Sequence, residues 1–269
     1  MDRVLTYNWK DHEVFSALRM PKHGYYIIRC DGRNFHRLTD TLNFNKPYDR
    51  KFAELMVDST LEVFRSGLNP CLAYIFSDEV NLLFLDLPFN GRIEKILSIV
   101  PSILSSAFTL NLHERMGVGS VVSFDSRIIL LTRELLYGYL CHRQMEAWRN
   151  HNNSYAYFTL ISKGYKPRDA SRMLRGLKTS QIHELVFKMA GINLSRTPCW
   201  QRRGILVRYV LERKYGYDPL RNVKVETFRR RLRVEWEIPM FHSEDGCRLI
   251  QESISSFTSP PSMSQLPSS

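Results

Sequence analysis

Three carboxylates at the ends of apolar runs are the residues most suited to chemistry. Asp31 stops the β-favouring run Tyr25 to Cys30 and is followed by Gly32, while Asp78 and Glu79 sit between the short apolar runs Leu72 to Phe76 and Val80 to Leu85. If the first run and the later pair are neighbouring strands of one sheet, Asp31 and Asp78 come together at its edge, with Glu79 beside them. Carboxylates held that close repel, and a hard cation with oxygen ligands relieves the repulsion. Two shared carboxylates suit a pair of Mg²⁺ ions about 4 Å apart, one activating an attacking oxygen and one holding a triphosphate leaving group, so phosphoryl transfer is the implied reaction. Asp-Gly and Ser-Asp are also ordinary turn formers, and spacing alone leaves both readings open.

The elements around these residues follow from periodicity. A helix is predicted from Pro47, with Phe52, Leu55, Met56 and Val63 on one face and Gly67 closing it. The hairpin of Leu72 to Leu85 turns through Ser77-Asp78-Glu79 without a glycine. A second helix is expected from Arg92 to His113, bent or broken near Pro101, then a strand from Ser120 to Leu131 interrupted by Asp125-Ser126. The order β-α-β-β-α-β predicts an α+β fold with a ferredoxin-like arrangement, an antiparallel sheet with helices on one face. A long helix should then run from Thr132, its N-cap, with Glu134 in the first turn, to about Ser162 before Gly164. Past Pro239 the pattern fades, and residues 253 to 269 hold 8 Ser and 3 Pro, which predicts a disordered tail. These readings divide the chain into a palm-like domain (1–135), a long helix with a basic α/β extension (136–240) and a largely disordered tail (241–269).

Charge is distributed unevenly. Of 269 residues 43% are hydrophobic and 24% charged, which excludes wholesale disorder, and the net charge is +11. Residues 161 to 240 carry 19 basic and 7 acidic side chains, a net of +12, so the whole excess lies there. Concentrated positive charge points to a polyanionic partner, nucleic acid first. No run of about 18 apolar residues occurs, and Met1 to Lys10 has no signal-like pattern, so a cytoplasmic protein without a membrane span is expected. Cys30, Cys71, Cys141, Cys199 and Cys247 form no Cys-x-x-Cys or Cys/His cluster, which argues against zinc or a disulfide framework.

Several segments together resemble the tRNA-His guanylyltransferase family of 3′-to-5′ polymerases. They are Asp31-Gly32-Arg33-Asn34-Phe35-His36, Asn43-Phe44-Asn45-Lys46-Pro47-Tyr48-Asp49, Ser77-Asp78-Glu79, Phe124-Asp125-Ser126-Arg127, Arg143 to Asn150 and Trp200-Gln201-Arg202-Arg203-Gly204. The stretch Asn150-His151-Asn152-Asn153-Ser154 departs from the eukaryotic motif at that place and resembles the archaeal and bacterial branch. The resemblance implies a palm domain, two Mg²⁺ ions, ATP and GTP or another NTP as substrates, tRNA as partner and a tetramer built from dimers. It implies that Asp31 and Asp78 bind both metals with the Gly32 carbonyl, that Glu79 supports them, and that Asp31 to His36 with Ser77 contact the nucleotide. Lys46 and Arg50 become triphosphate candidates.

Arg143, Glu146, Asn150 and Ser154 recur at steps of three and four and form one polar stripe on the long helix, which a tRNA or triphosphate would face. Arg172, Arg175 and Lys178, with Arg202 and Arg203 in an expected strand region, are the candidate phosphate contacts for tRNA. The expected function is metal-dependent addition of nucleotides to the tRNA 5′ end, as G-1 addition to tRNA-His or template-directed repair. A non-catalytic RNA-binding protein is the alternative, and it gains little from clustered carboxylates beside an anionic ligand. A palm-fold nucleotide cyclase leaves the localised positive charge unexplained.

Overall fold

A computed structural model describes residues 8–218, 223–258 and 263–265. Among the described residues seven antiparallel strands form one sheet: β1 (Tyr25–Gly32), β2 (Leu72–Phe76), β3 (Glu79–Phe84), β4 (Phe124–Leu131), β5 (Ile205–Asp218), β6 (Val223–Glu235) and β7 (Met263–Gln265), in the spatial order β4-β1-β3-β2-β5-β6-β7. The β1–β3 register sets Asp31 opposite Glu79, and the β1–β4 register sets it opposite Asp125 on the other side. The carboxylates therefore meet at one sheet edge, as their positions at run ends require. Strands β5 and β6 join the same sheet through β2, with Leu72 opposite Arg208 and Ile75 opposite Ile205. Residues on either side of position 135 thus share one sheet.

Alternation along the strands sorts side chains onto two faces. Tyr26, Ile28 and Cys30, with Ala73, Ile75, Val80 and Leu82, turn to one face and pack against Leu55, Met56 and Val63 of α2 (Arg50–Arg65) and Ile96, Leu104 and Phe108 of α3 (Ile93–Met116). Ile27, Leu72, Tyr74, Leu83 and Leu206 turn to the other, where Leu136 and Leu140 of α4 (Arg133–Ser162) and Phe241 and Ile250 meet them. Helices cover both faces, not one. The reason is that even and odd positions of the inner strands are alike apolar, and a sheet with two apolar faces needs two covers.

The expected disordered tail is corrected on the same ground. Glu244–Thr258 forms a helix, and its buried Ile250 and Ser253 dock on the second face. Positions 259–262 and 266–269 of that expected tail lie outside the described residues. Two short helices, α5 (Pro167–Leu174) and α6 (Thr179–Ala190), pack on the last third of α4, where Ala156 of α4, Ile182 and Val186 of α6 and Leu194 beyond it form a small core against which Leu174 of α5 packs. With α1 (Phe35–Thr41) and α7 (Cys199–Arg203), the Glu244–Thr258 helix becomes α8 in chain order.

Local departures from expectation each have a partner that sequence periodicity does not reveal. The α2 helix starts at Arg50, because the Asp49 carboxylate accepts from the main-chain N–H groups of Lys51 (2.7 Å) and Phe52 (3.3 Å), whereas Pro47 lies before it. Pro101 leaves α3 unbroken. Its missing N–H deprives the Leu97 carbonyl of a donor, and the Ser126 hydroxyl supplies one at 3.0 Å. Ser126 accordingly belongs to a continuous β4 that begins at Phe124, without the expected interruption. By length and apolarity α3 would suffice to cross a membrane, yet Ile96, Val100, Leu104, Phe108 and Leu112 bury one of its faces in the core.

Candidate active site

At the edge where β1 ends and β2 turns into β3, the main-chain N–H of Gly32 donates to the Asp78 carbonyl at 3.0 Å, tying the two carboxylate-bearing segments together. Gly32 admits no side chain: a Cβ there would stand 2.4 Å from the ring of Phe35. Ser77 turns the hairpin at φ +50°, the left-handed region that usually calls for glycine, and its hydroxyl donates to the Asp78 carboxylate at 3.1 Å. Burial pushes the Asp78 carboxyl above its usual range, and the nearby Asp31 charge adds to this. Asp31 is balanced by Arg29 (3.1 Å) and, further off, Arg127 (3.7 Å).

Glu79 is placed differently from the other two. It is 5% exposed, and both its oxygens are taken. Arg143 of α4 donates Nε to Oε1 at 2.9 Å and Nη2 to Oε2, and the Asn81 amide donates to Oε1 at 2.7 Å. The Tyr139 hydroxyl donates to Asn81 Oδ1 at 2.6 Å, which fixes that amide's orientation. Burial raises the Glu79 carboxyl, and Arg143 and Asn81 oppose the shift, so the pair stands as a bidentate ion pair. Arg143, expected as a tRNA contact, is instead engaged by Glu79, with its side chain 13% exposed. Its guanidinium, 5.4 Å from the Phe76 ring centroid, clamps α4 onto the strand that leads into Ser77-Asp78.

A cavity of about 490 Å³ opens beside this edge. Asp31, Gly32, Asn34, His36, Lys46 and Ser77-Asp78 line it from the strand ends and α1, and Asn150, Asn153 and Ser154 line it from α4. Trp200 and Gln201 of α7 close another wall. Lys46 reaches Asp40 (2.6 Å) and Thr39 Oγ1 (2.8 Å) from the cavity rim. Thus the expected nucleotide residues Asp31, Gly32, Asn34, His36, Lys46, Ser77 and Asp78 converge, and so does Asn150 of the polar stripe.

Other expected residues are used differently. Phe35 lies along the cavity, but its ring is 3% exposed and packs on Phe52, Phe108 and Phe124, so its side chain also belongs to the core. Arg33 is exposed and does not line the cavity. Arg50 turns away to lie 3.3 Å from the Trp236 ring centroid and 3.0 Å from Glu54. Arg202 donates to the Thr197 carbonyl at 2.7 Å and Arg203 to the Ile238 carbonyl at 3.0 Å; they belong to the short helix α7, not to a strand, and hold loops. Arg172, Arg175 and Lys178 are exposed on and after α5, with Arg172 paired to Asp169 at 2.8 Å.

Sequence reasoning missed several participants. Asp49 accepts from the Asn45 N–H at 2.8 Å and shapes the loop that carries Lys46. Behind Asn150 and Ser154, His151 is fully buried, stacked on Trp148 at 5.2 Å and bonded through Nε2 to Thr197 Oγ1 at 2.8 Å. Burial lowers its pKa to about 4, which keeps it neutral. The N-cap acid Asp49 directly before an apolar helix, with Asn45 four residues ahead of it, was the signal available for that loop.

For a metal, Asp31 and Asp78 offer hard carboxylate oxygens, and Asp78's burial beside a second carboxylate is the electrostatic situation a cation relieves. Two carboxylates suit Mg²⁺, which is held through one or two such groups together with substrate phosphates rather than by an all-protein cage. Among the described residues no group of three or more His, Cys, Asp or Glu side chains forms such a cage. Glu79, saturated by Arg143 and Asn81, does not fit as a direct ligand.

Comparison with known proteins places this arrangement. The tRNAHis guanylyltransferase family model matches residues 7–132. A probable tRNA(His) guanylyltransferase of Drosophila melanogaster is 30% identical over 68% of this chain and 66% of its own length, and the tRNA(His) guanylyltransferase of Schizosaccharomyces pombe is 30% identical over 71% and 76%. Among solved structures, a bacterial tRNA(His) guanylyltransferase-like protein in complex with ATP superposes with a TM-score of 0.72 at 21% identity, covering 91% of this chain and 96% of that one. The Saccharomyces cerevisiae enzyme superposes with a TM-score of 0.67 at 22% identity, over 75% and 92%. With a mixed α/β fold on an antiparallel sheet, and a 30%-identical relative covered over three quarters of its length, the chain belongs to the tRNA(His) guanylyltransferase family of nucleotidyltransferases.

Proposed function

We propose that this protein adds nucleotides in the 3′-to-5′ direction to the 5′ end of tRNA, with Asp31 and Asp78 as its catalytic carboxylates. The observation that carries this reading is the single cavity joining those two carboxylates to Lys46, Ser77 and the amide-bearing face of α4. The strand order β4-β1-β3-β2 with antiparallel neighbours supports a ferredoxin-like palm, to which β5 and β6 add the extension.

In this family's reaction a tRNA 5′-monophosphate attacks the α-phosphate of ATP and releases pyrophosphate. The 3′-hydroxyl of an incoming NTP then attacks the adenylylated 5′-phosphate and releases AMP. A 5′-triphosphate end needs no activation. Mg²⁺ held by Asp31 and Asp78 would neutralise phosphate charge and activate the attacking oxygen. The chain's own groups position the rest: Lys46, held at the rim by Thr39 and Asp40, would meet the triphosphate, Ser77 fixes the Asp78 carboxylate, and the Arg143–Glu79 pair holds the turn in place. No side chain acts as a covalent nucleophile, so positioning and electrostatics supply the acceleration. The exposed Arg172, Arg175 and Lys178 dock the tRNA. A cytoplasmic tetramer built from dimers is the assembly consistent with the family resemblance.

The test is to incubate the protein with Mg²⁺, ATP and each NTP in turn, using full-length and 5′-truncated tRNA. Extension at the 5′ end is expected, and changing the nucleotide opposite the growing end should change the added base to its complement. Addition of G whatever the opposite base would assign a dedicated tRNA-His enzyme. Tight tRNA binding with no extension of either substrate would establish a non-catalytic RNA-binding protein instead.

A further inference from the structure

Helix α7, which carries Trp200 and Gln201 of the cavity wall, is only five residues long. A helix that short does not hold itself in place, so its two ends must set it. At the C-terminal end the Arg203 carbonyl accepts from the Tyr74 hydroxyl at 2.9 Å and from the Gln144 amide at 3.3 Å. Gly204 follows at φ +80°, where a Cβ would stand 2.5 Å from the Tyr74 ring and 2.7 Å from the Ile75 carbonyl oxygen. The backbone there is seated on β2, the strand that runs into Ser77-Asp78.

At the other end stands Thr197, two residues before α7 and 8% exposed. Its hydroxyl has one proton, which goes to the Leu194 carbonyl at 2.8 Å, so the 2.8 Å contact with His151 Nε2 has the imidazole as donor. Its carbonyl accepts from Arg202 Nε at 2.7 Å. One buried residue thus joins α4, through His151, to α7, through Arg202, and to the turn at Leu194. Leu194 in turn belongs to the small core with Ile182 and Val186 of α6, against which Leu174 of α5 packs. Neither Thr197 nor His151 lines the cavity.

We infer that Thr197 is a positioning residue for nucleotide addition: by fixing the entry to α7, it holds the cavity wall in register with α5 and α6, the helices on which the tRNA docks. The inference rests on the function proposed above and adds to it how two substrates, bound at separate places, are kept in one frame. Docking on Arg172, Arg175 and Lys178 draws on exposed groups and needs no such link. Transfer does need it, because the attacking and departing atoms must be aligned, and a misplacement of about 1 Å can lower the rate by about a hundredfold. A hydroxyl that served the fold alone would leave the rate of the folded enzyme unchanged.

Single-turnover addition at saturating tRNA and NTP, beside equilibrium tRNA binding, tests this in the full chain well below its melting temperature. Thr197→Val keeps the shape and removes the hydroxyl, so the saturated rate should fall by about tenfold or more with the tRNA Kd unchanged. Thr197→Ser keeps the hydroxyl and should restore the rate to near wild type. Joint replacement of Arg172, Arg175 and Lys178 by Gln should show the reverse pattern, a weaker tRNA Kd with the saturated rate kept. If Thr197→Val does not fold, Thr197→Ala gives the same reading, since it removes the hydroxyl without crowding the site. A wild-type saturated rate in the folded valine or alanine variant, or a serine variant as slow as either, would overturn the inference. A loss confined to tRNA affinity would place Thr197 in docking and overturn it too. Wild-type protein that binds tRNA but extends neither full-length nor truncated substrate would overturn the proposed function, and the inference with it.

Discussion

Two residues at the carboxylate edge are irreplaceable for reasons that separate chemistry from folding. Asp31→Asn and Asp78→Asn keep the side-chain shape and lose the charge, so nucleotide addition should fall by at least about a thousandfold while the melting temperature holds, since several kcal/mol of transition-state stabilisation depends on that charge. Turnover near wild type in either variant would remove the carboxylates from the reaction. His151 makes the opposite kind of prediction, about stability alone. Its ring is neutral and buried with a pKa near 4, against about 6.5 for a free histidine, so the unfolded chain takes up a proton that the native state refuses. Its contribution is complete above pH 6.5 and is lost as pH falls toward 4, on the order of 3 kcal/mol in all. In urea titrations from pH 7 to 4, His151→Gln should show a shallower loss of stability than wild type; parallel curves would contradict the buried neutral ring.

Elements turn on how they are pinned. Arg143→Ala leaves the buried Glu79 carboxylate unpaired and should cost about 3–5 kcal/mol, whereas Arg143→Met combined with Glu79→Gln should recover much of that loss. Simple additivity of the two single changes in denaturant melts would show that the groups are not coupled. Truncation after Pro239 should likewise destabilise the fold by several kcal/mol, because Phe241 and Ile250 are fully buried, and a stable truncated chain would contradict that docking. What the sequence made legible sorts by the range of the interaction. The strands, the Ser77-Asp78 turn and Thr132 as a cap are set by neighbours in the chain and were readable from it. The second helical cover, the repair of Pro101 by Ser126, and the use of Arg143, Arg202 and Arg203 depend on partners 25 or more residues away or on loop carbonyls, about which residue type is silent. An arginine looks the same whether it meets a phosphate, a glutamate or a carbonyl.

For the whole molecule, the placement of positive charge sets how it meets RNA. Arg172, Arg175 and Lys178 are exposed, so replacing all three with Gln should lower the slope of log affinity against log salt for tRNA by about two to three. Arg202→Gln and Arg203→Gln should lower stability and leave that slope alone, since both guanidiniums hold backbone carbonyls. An unchanged slope in the triple variant would move the docking surface elsewhere.

The long hairpin is tied to the core sheet at one end. β2 pairs with β5 from Ile205 to Arg208, whereas β5 and β6 stay paired from Leu206–Glu235 out to Asp218–Val223, and Tyr215 and Tyr217 are 63% and 58% exposed. At the far end, among the described residues, the three-residue β7 adds pairing to Val225 through Thr227 of β6. A ribbon with so little support is marginal by itself. Amide hydrogen exchange should therefore be graded along a single pair of strands. The N–H groups of residues 205 to 209 should exchange only with global unfolding, and those of 212 to 217 should exchange orders of magnitude faster through opening of the outer ribbon alone. Such a gradient lets the outer ribbon bend toward a bound macromolecule without disturbing the strands that hold the carboxylates.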